Sequence, residues 1–200
     1  MMMNIFKNGI FTSVFLLLFS TNIQAGLFAS GALKVGYGST TTSNTTTVPK
    51  TSMTNYAVDA SVGAKLFGFI LGANVEYSLW KQLTDPSKVS NVNSQGKLNG
   101  IYPVIGFDLG RFRLIGKLPV SLSGNYSLDK TNSSGKTVKY KSADALGLQL
   151  HWKSTPITFW GIEYQSLKFK KIETAGTESS LSDAQKLKLN SFAILYGLFF

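Results

Sequence analysis

Residues able to do chemistry are scarce in this chain, and that scarcity is the first constraint on function. The 200 residues contain one histidine, His151, and no cysteine. A single imidazole without thiolates cannot assemble a zinc-type cluster. The missing cysteines also exclude disulfides, thiol nucleophiles and a lipoprotein anchor. His151 has no serine and carboxylate beside it at matching height, as nucleophilic or general-base work would need. The acids Asp85, Asp129, Glu173, Glu178 and Asp183 are scattered along polar stretches and are not spaced as ligands. The sequence therefore predicts no catalytic residue, no metal site and no cofactor.

A second group of charges is ordered. Counted from the short-turn end of each predicted strand, Lys34, Asp59, Glu76, Lys117 and Glu163 fall about six or seven positions along. All five share the face opposite the large apolar side chains. Buried charges at one level must pair, since an isolated one is costly. Two lysines against three carboxylates leave one acid in excess. It is expected to share a proton, to pair with Arg113, or to lean on Asn74, Asn125 or Gln165. The expected outcome is a salt-bridged plug, and the rival is a narrow polar path for water or small ions.

The elements that must position these residues are strands. Period-two alternation between turn signals marks eight of them, at about 27–38, 53–65, 69–80, 99–109, 111–126, 143–152, 157–169 and 187–200. The third is the cleanest, with Leu71, Val75, Tyr77 and Leu79 opposite Gly72, Asn74, Glu76 and Ser78. One face of every strand is apolar and the other is small or polar. Only lipid rewards such outer faces, and in lipid the sheet must close so that every backbone group is paired. Pro103 and Pro119 predict local irregularity, with the alternation keeping its phase on both sides of Pro119.

Short turns near 65–68, 108–111 and 153–156 alternate with long polar connections at about 39–52, 81–98, 127–142 and 170–186. That is the pattern of short periplasmic turns and longer external loops. Tyrosines 37, 56, 77, 102, 126, 140 and 164 fall near the long-loop ends. Phe28, Phe67, Phe69, Phe107, Phe112, Phe199 and Phe200 fall near the short-turn ends. The two sets predict two aromatic girdles. Residues 1–25 read as a cleaved signal peptide, with Lys7 ahead of the apolar run Ile10–Phe19 and a small-residue junction at Ala25–Gly26. Residues 26–200 are then the transmembrane β-barrel domain.

The last strand alternates through Phe192, Ile194, Tyr196 and Leu198 and ends in Phe200. It resembles the terminal signature read by the outer-membrane assembly machinery. The whole mature chain resembles the small eight-stranded barrels of the OmpA and OmpX type. That resemblance implies an all-β, eight-stranded antiparallel up-and-down transmembrane β-barrel in a Gram-negative bacterial outer membrane. It carries no functional residue across.

Without Lys7 the chain keeps 19 basic and 10 acidic residues, a net charge of +9. For a secreted chain this disfavours nucleic acid and makes phosphate-rich lipopolysaccharide the natural counter-charge. Lys139, Lys141, Lys186 and Lys188, at the long-loop ends, are the expected contacts. The Ser/Thr/Asn tract at 39–47 contains no recognition motif. The sequence thus predicts a monomeric, non-enzymatic barrel with a structural or surface-interaction role. A narrow channel or small-molecule conduit is the first alternative, and a lipid-modifying enzyme the second.

Overall fold

The computed structural model describes residues 26–42, 51–83, 95–121, 127–131, 137–183 and 186–200. The predicted signal peptide, Asn125, Tyr126 and Asp85 lie outside them. Among the described residues ten antiparallel strands make one sheet: β1 (Gly26–Thr42), β2 (Thr51–Leu66), β3 (Phe69–Gln82), β4 (Gln95–Leu109), β5 (Phe112–Ser121), β6 (Ser127–Thr131), β7 (Thr137–Lys153), β8 (Thr158–Thr174), β9 (Thr177–Ser180) and β10 (Leu187–Phe199). The sheet closes where β1 pairs with β10, from Ser30↔Phe199 to Thr42↔Leu187. Both β5 and β6 lie between β4 and β7, so they share one position in the wall, while β9 pairs only with the outer end of β8. The wall therefore has eight positions, as the alternation predicts.

Phase decides which side chains meet lipid. On β3, Phe69, Leu71, Val75, Tyr77 and Leu79 are exposed, while Ile70, Asn74, Glu76, Ser78 and Trp80 are buried. The same holds on β10, where Phe192, Ile194, Tyr196 and Leu198 point outward with Phe200 beyond them. An apolar belt running about nine to eleven residues along each tilted strand matches the hydrocarbon thickness. Closing the sheet gives β1 and β10 partners on both sides, as a lipid environment demands.

The turn between β2 and β3 shows why the short-turn end is so tight. Phe67 and Gly68 have φ of 51° and 84°, the two positive values that a two-residue hairpin of primed type requires. The β8–β9 hairpin repeats the device, with φ of 52° at Ala175 and 83° at Gly176. Above the first turn, Gly63 and Gly72 face each other across the ladder. A Cβ on either would lie 2.2 Å from a backbone carbonyl oxygen of the opposing strand.

Three expectations need correction. The described part of the fifth predicted strand is β5, which ends at Ser121, and residues 122–126 lie outside the described residues. The β5–β7 register slips between Lys117 and Val120, so the phase is not kept across Pro119. A residue that cannot donate to the ladder favours such a bulge. The predicted loops at 127–142 and 170–186 contain β6, the start of β7, the end of β8 and β9, because hydrated polar hairpins pair without hydrophobic alternation. Finally, the inward face is not merely small and polar. Tyr102 and Tyr140 are buried and belong to an apolar cluster in the lumen, not to a girdle. Phe28 is likewise buried, and Phe199 stacks inside on Phe159 at 4.5 Å between centroids.

Candidate functional site

The inward side chains form three tiers. At the short-turn end Phe28, Ile70, Ile115, Phe159 and Leu195 are buried around His151 and Arg113. Mid-barrel come the charges. Toward the long-loop end Met53, Trp80, Leu98, Leu167, Phe169 and Leu189, with the two buried tyrosines, make a hydrophobic core, and Ile172 and Leu181 pack against it. An eight-stranded barrel is only wide enough for side chains to fill it, and this one uses apolar chains for much of that filling.

The middle tier brings together Lys34, Asp59, Glu76, Lys117 and Glu163, five of the six charges predicted to meet. The Lys117 ammonium lies 2.8 Å from Asp59 Oδ2, 2.6 Å from Glu76 Oε2 and 3.1 Å from Glu163 Oε1. Lys34 Nζ reaches the same three acids at 3.4, 2.8 and 2.9 Å. Each lysine therefore serves three carboxylates, and each carboxylate serves two lysines. Their side chains are at most 5% exposed, so water contributes little to their solvation and the mutual pairing must replace it.

Amides absorb the excess of acid. Gln149 Nε2 donates to Asp59 Oδ2 at 3.1 Å and to Glu163 Oε2 at 2.7 Å. Asn74 Nδ2 donates to Asp59 Oδ1 at 2.8 Å, and Gln165 Nε2 to Glu76 at 3.4 Å. Asn74 and Gln165 thus stand where the sequence placed them. Gln149 is an addition, visible beforehand only as a polar residue on the inward phase of β7. The Lys117 ammonium also lies 5.4 Å from the ring centroid of Tyr102, at the boundary with the apolar tier.

Arg113 does not join the layer. It sits lower, where Nη2 donates to Asp108 Oδ2 at 2.9 Å and the guanidinium lies 4.1 Å over the Phe199 ring. The reason is register: Arg113 pairs directly with Asp108 across β4–β5, four residues nearer the turn than Lys117. His151 is buried, stacks on Phe159 at 4.2 Å and shares a 3.2 Å hydrogen bond between Nε2 and Gln149 Oε1. Its neighbours include aromatic rings, Gln149 and Arg113, and among the described residues no hydroxyl is paired with it.

The four predicted surface lysines separate into two pairs. Lys141 is engaged by Glu173 and by Glu178, the latter at 2.8 Å, and Lys186 is engaged by Asp183. Lys139 and Lys188 are exposed. Lys188 stands directly across from Lys168 on the outward face of β10–β8, two pairs above Tyr164↔Phe192. Like charges opposite one another oppose pairing unless an anion lies near them, and Asp183 lies 4.0 Å from Lys168 Nζ.

No protein-family model matches the sequence, and no curated protein is similar to it. Solved structures do share its shape. Over 88% of this chain and 97% of the other, it superposes on Neisserial surface protein A (NspA) with 13% identity and a TM-score of 0.49. It covers 98% of Ail, the attachment invasion locus protein of Yersinia pestis, with 86% of its own length, 13% identity and a TM-score of 0.54. A second Ail structure, in complex with the heparin analogue sucrose octasulfate, gives 12% identity and a TM-score of 0.51. The fold of this chain is that of the small outer-membrane β-barrels.

Proposed function

We propose that this chain is a closed, non-enzymatic barrel of the bacterial outer membrane whose external rim, and not its lumen, is its working surface. The observation carrying this reading is the filled interior. Charged, amide and apolar side chains occupy successive levels, and the middle level is fully cross-paired. Among the described residues no catalytic grouping accompanies the single histidine. The outward aromatic alternation of β10, ending at Phe200, supports assembly by the outer-membrane machinery. The exposed cations above the lipid belt support contact with lipopolysaccharide, an outer leaflet dense in phosphate. Lys188 and Lys139, and Lys168 with Asp183 no nearer than 4.0 Å, suit that contact better than Lys141 and Lys186, which have close carboxylate partners.

The test is conductance. Folded protein reconstituted in planar bilayers is expected to show little or no steady ion current. A robust, long-lived conductance in the unmodified protein would replace this reading with the channel.

A further inference from the structure

The short-turn mouth of the barrel carries more positive charge than it uses. Asp108 is the only acidic side chain there among the described residues, and three cations converge on it. Arg113 Nη2 lies 2.9 Å from Oδ2, Lys153 Nζ lies 2.6 Å from Oδ1 and Lys65 Nζ lies 3.7 Å from Oδ2. Both carboxylate oxygens are occupied, so one negative charge faces three positive ones. A fourth, Arg111, is exposed at the same turn.

The excess is accompanied by unspent hydrogen-bond donors. Arg113 is 5% exposed, yet its Nε and Nη1 are buried without a partner. Its ring-stacking face is taken by Phe199 and its Nη2 by Asp108. His151, directly across the ladder from Arg113, spends its Nε2–H on Gln149 Oε1, so the open donors are those of Arg113. Buried donors left without acceptors are costly, and an arginine fork beside two ammonium groups is suited to an oxyanion. Exposed Phe67, Phe112 and Trp152 set this mouth at the edge of the apolar belt, at the depth of lipid headgroups.

We infer that the short-turn mouth is a phosphate-binding site formed by Arg113, Lys153 and Lys65 around Asp108. The phosphate belongs either to a free anion or to an anionic lipid headgroup of the adjacent leaflet.

The experiment follows the Arg113 Nε–H resonance by NMR. Folded protein in dodecyl maltoside, which contains no phosphate, is titrated with inorganic phosphate. In a second arm it is placed in phosphatidylglycerol nanodiscs without free phosphate. A saturable shift in the first arm alone assigns the free anion; the same shift in the second alone assigns the headgroup; both support the site. The double variant K65Q/K153Q leaves Arg113 in place, and its folding is checked by heat-modifiable gel migration. It is expected to weaken the response about tenfold or more, as loss of charged hydrogen bonds implies. Absence of a saturable shift in both arms would overturn the site, as would a response of equal strength in the folded double variant.

Discussion

Lys117 on β5 and Glu76 on β3 are separated in the wall by β4, yet Nζ and Oε2 lie 2.6 Å apart with both side chains 0% exposed. The pair fixes β5 against β3 through the lumen, although these strands are not neighbours in the wall. Lys34 and Lys117 each bridge the same three acids, so the layer acts as a set of spokes from four strands, β1, β2, β3 and β8, meeting one from β5. The wall ladders set which strands are adjacent, and the layer sets how the wall is braced across its diameter.

Replacing Lys117 by Ala therefore removes one hub and leaves Asp59, Glu76 and Glu163 sharing Lys34. Breaking a buried pair from one side costs about 3–5 kcal/mol. Urea unfolding of K117A should show a loss of this order, and Q149L, which removes only neutral donors, a smaller one. Equal stability of K117A and the unmodified protein would show that the layer does not brace the barrel.

Much of this was legible in the residues because lipid enforces a strict code. Apolar alternation placed each strand, and once phase and turn positions were known, Lys34, Asp59, Glu76, Lys117 and Glu163 fell at one level by counting. Counting failed where lipid imposes no code. The polar hairpins of β6–β7 and β8–β9 extend beyond the belt, and nothing in Thr, Ser and Lys runs separates paired strand from loop. It failed also inside the long-loop half, where Trp80, Leu98 and Leu189 sit on the inward phase. A rule that assigns apolar residues to lipid cannot recognise an apolar core within the lumen. Arg113 has the right phase but not the right height for the layer, and in sequence its partner Asp108 is indistinguishable from a turn residue.

The external hairpin should respond to pH. Glu173 and Glu178 hold the Lys141 ammonium, pushing its pKa up to about 12, and Lys141 in turn holds the Glu178 carboxyl below its usual range. A raised lysine contributes fully below its ordinary value of 10.5 and is lost as pH climbs through about 12. A lowered carboxyl contributes above its ordinary value of 4.5 and is lost as pH falls through its depressed value. The hairpin contact is thus intact between those limits. Backbone NMR shifts of Thr177–Ser180 should stay constant across neutral pH and move at both extremes. K141M should abolish the acid-side displacement caused by Glu178 pairing.

Assembly should depend on the end of β10. Phe200 is 80% exposed, and its N–H donates to Ala29 O at 2.9 Å, closing the last rung against β1. F200D keeps that backbone bond while placing a charge at the edge of the apolar belt, where burial in lipid is unfavourable. The expected result is less folded barrel in the outer membrane by heat-modifiable gel migration. Refolding of the purified variant in detergent should remain close to normal. Unchanged assembly in cells would mean that the terminal aromatic is not the element recognised.

Lipopolysaccharide retention should distinguish the two sorts of rim lysine. K168Q/K188Q removes the opposed like-charge pair on the outward face, of which Lys168 is held only loosely by Asp183 at 4.0 Å, whereas K141Q/K186Q removes lysines paired with acids at 2.8 Å or closer. The first double variant should co-purify less lipopolysaccharide, and the difference should shrink as salt rises, because exposed charges are screened over about 10 Å at 0.1 M. The second should retain nearly the full amount. Equal retention by both would reduce the lysines to solvated surface charge.

The lumen is sealed twice, and the two seals should be separable. K34A/K117A opens the charged tier but leaves Trp80, Leu98, Tyr102, Leu167 and Phe169 packed above it, all at most 5% exposed. An apolar plug without water does not pass ions, so this variant, though less stable, should still show no steady current in planar bilayers. W80A alone removes the largest side chain of the upper tier, at a cost of about 3–5 kcal/mol, yet the cross-paired charges beneath it remain. It too should stay silent. Only the triple variant K34A/K117A/W80A removes both obstacles, and it alone is expected to conduct, with a preference for cations because Asp59, Glu76 and Glu163 then line the path uncompensated. Heat-modifiable migration establishes that each variant is folded before current is recorded. Steady conductance in K34A/K117A with Trp80 intact would show that the apolar tier is not a seal, and that the charges alone close the barrel.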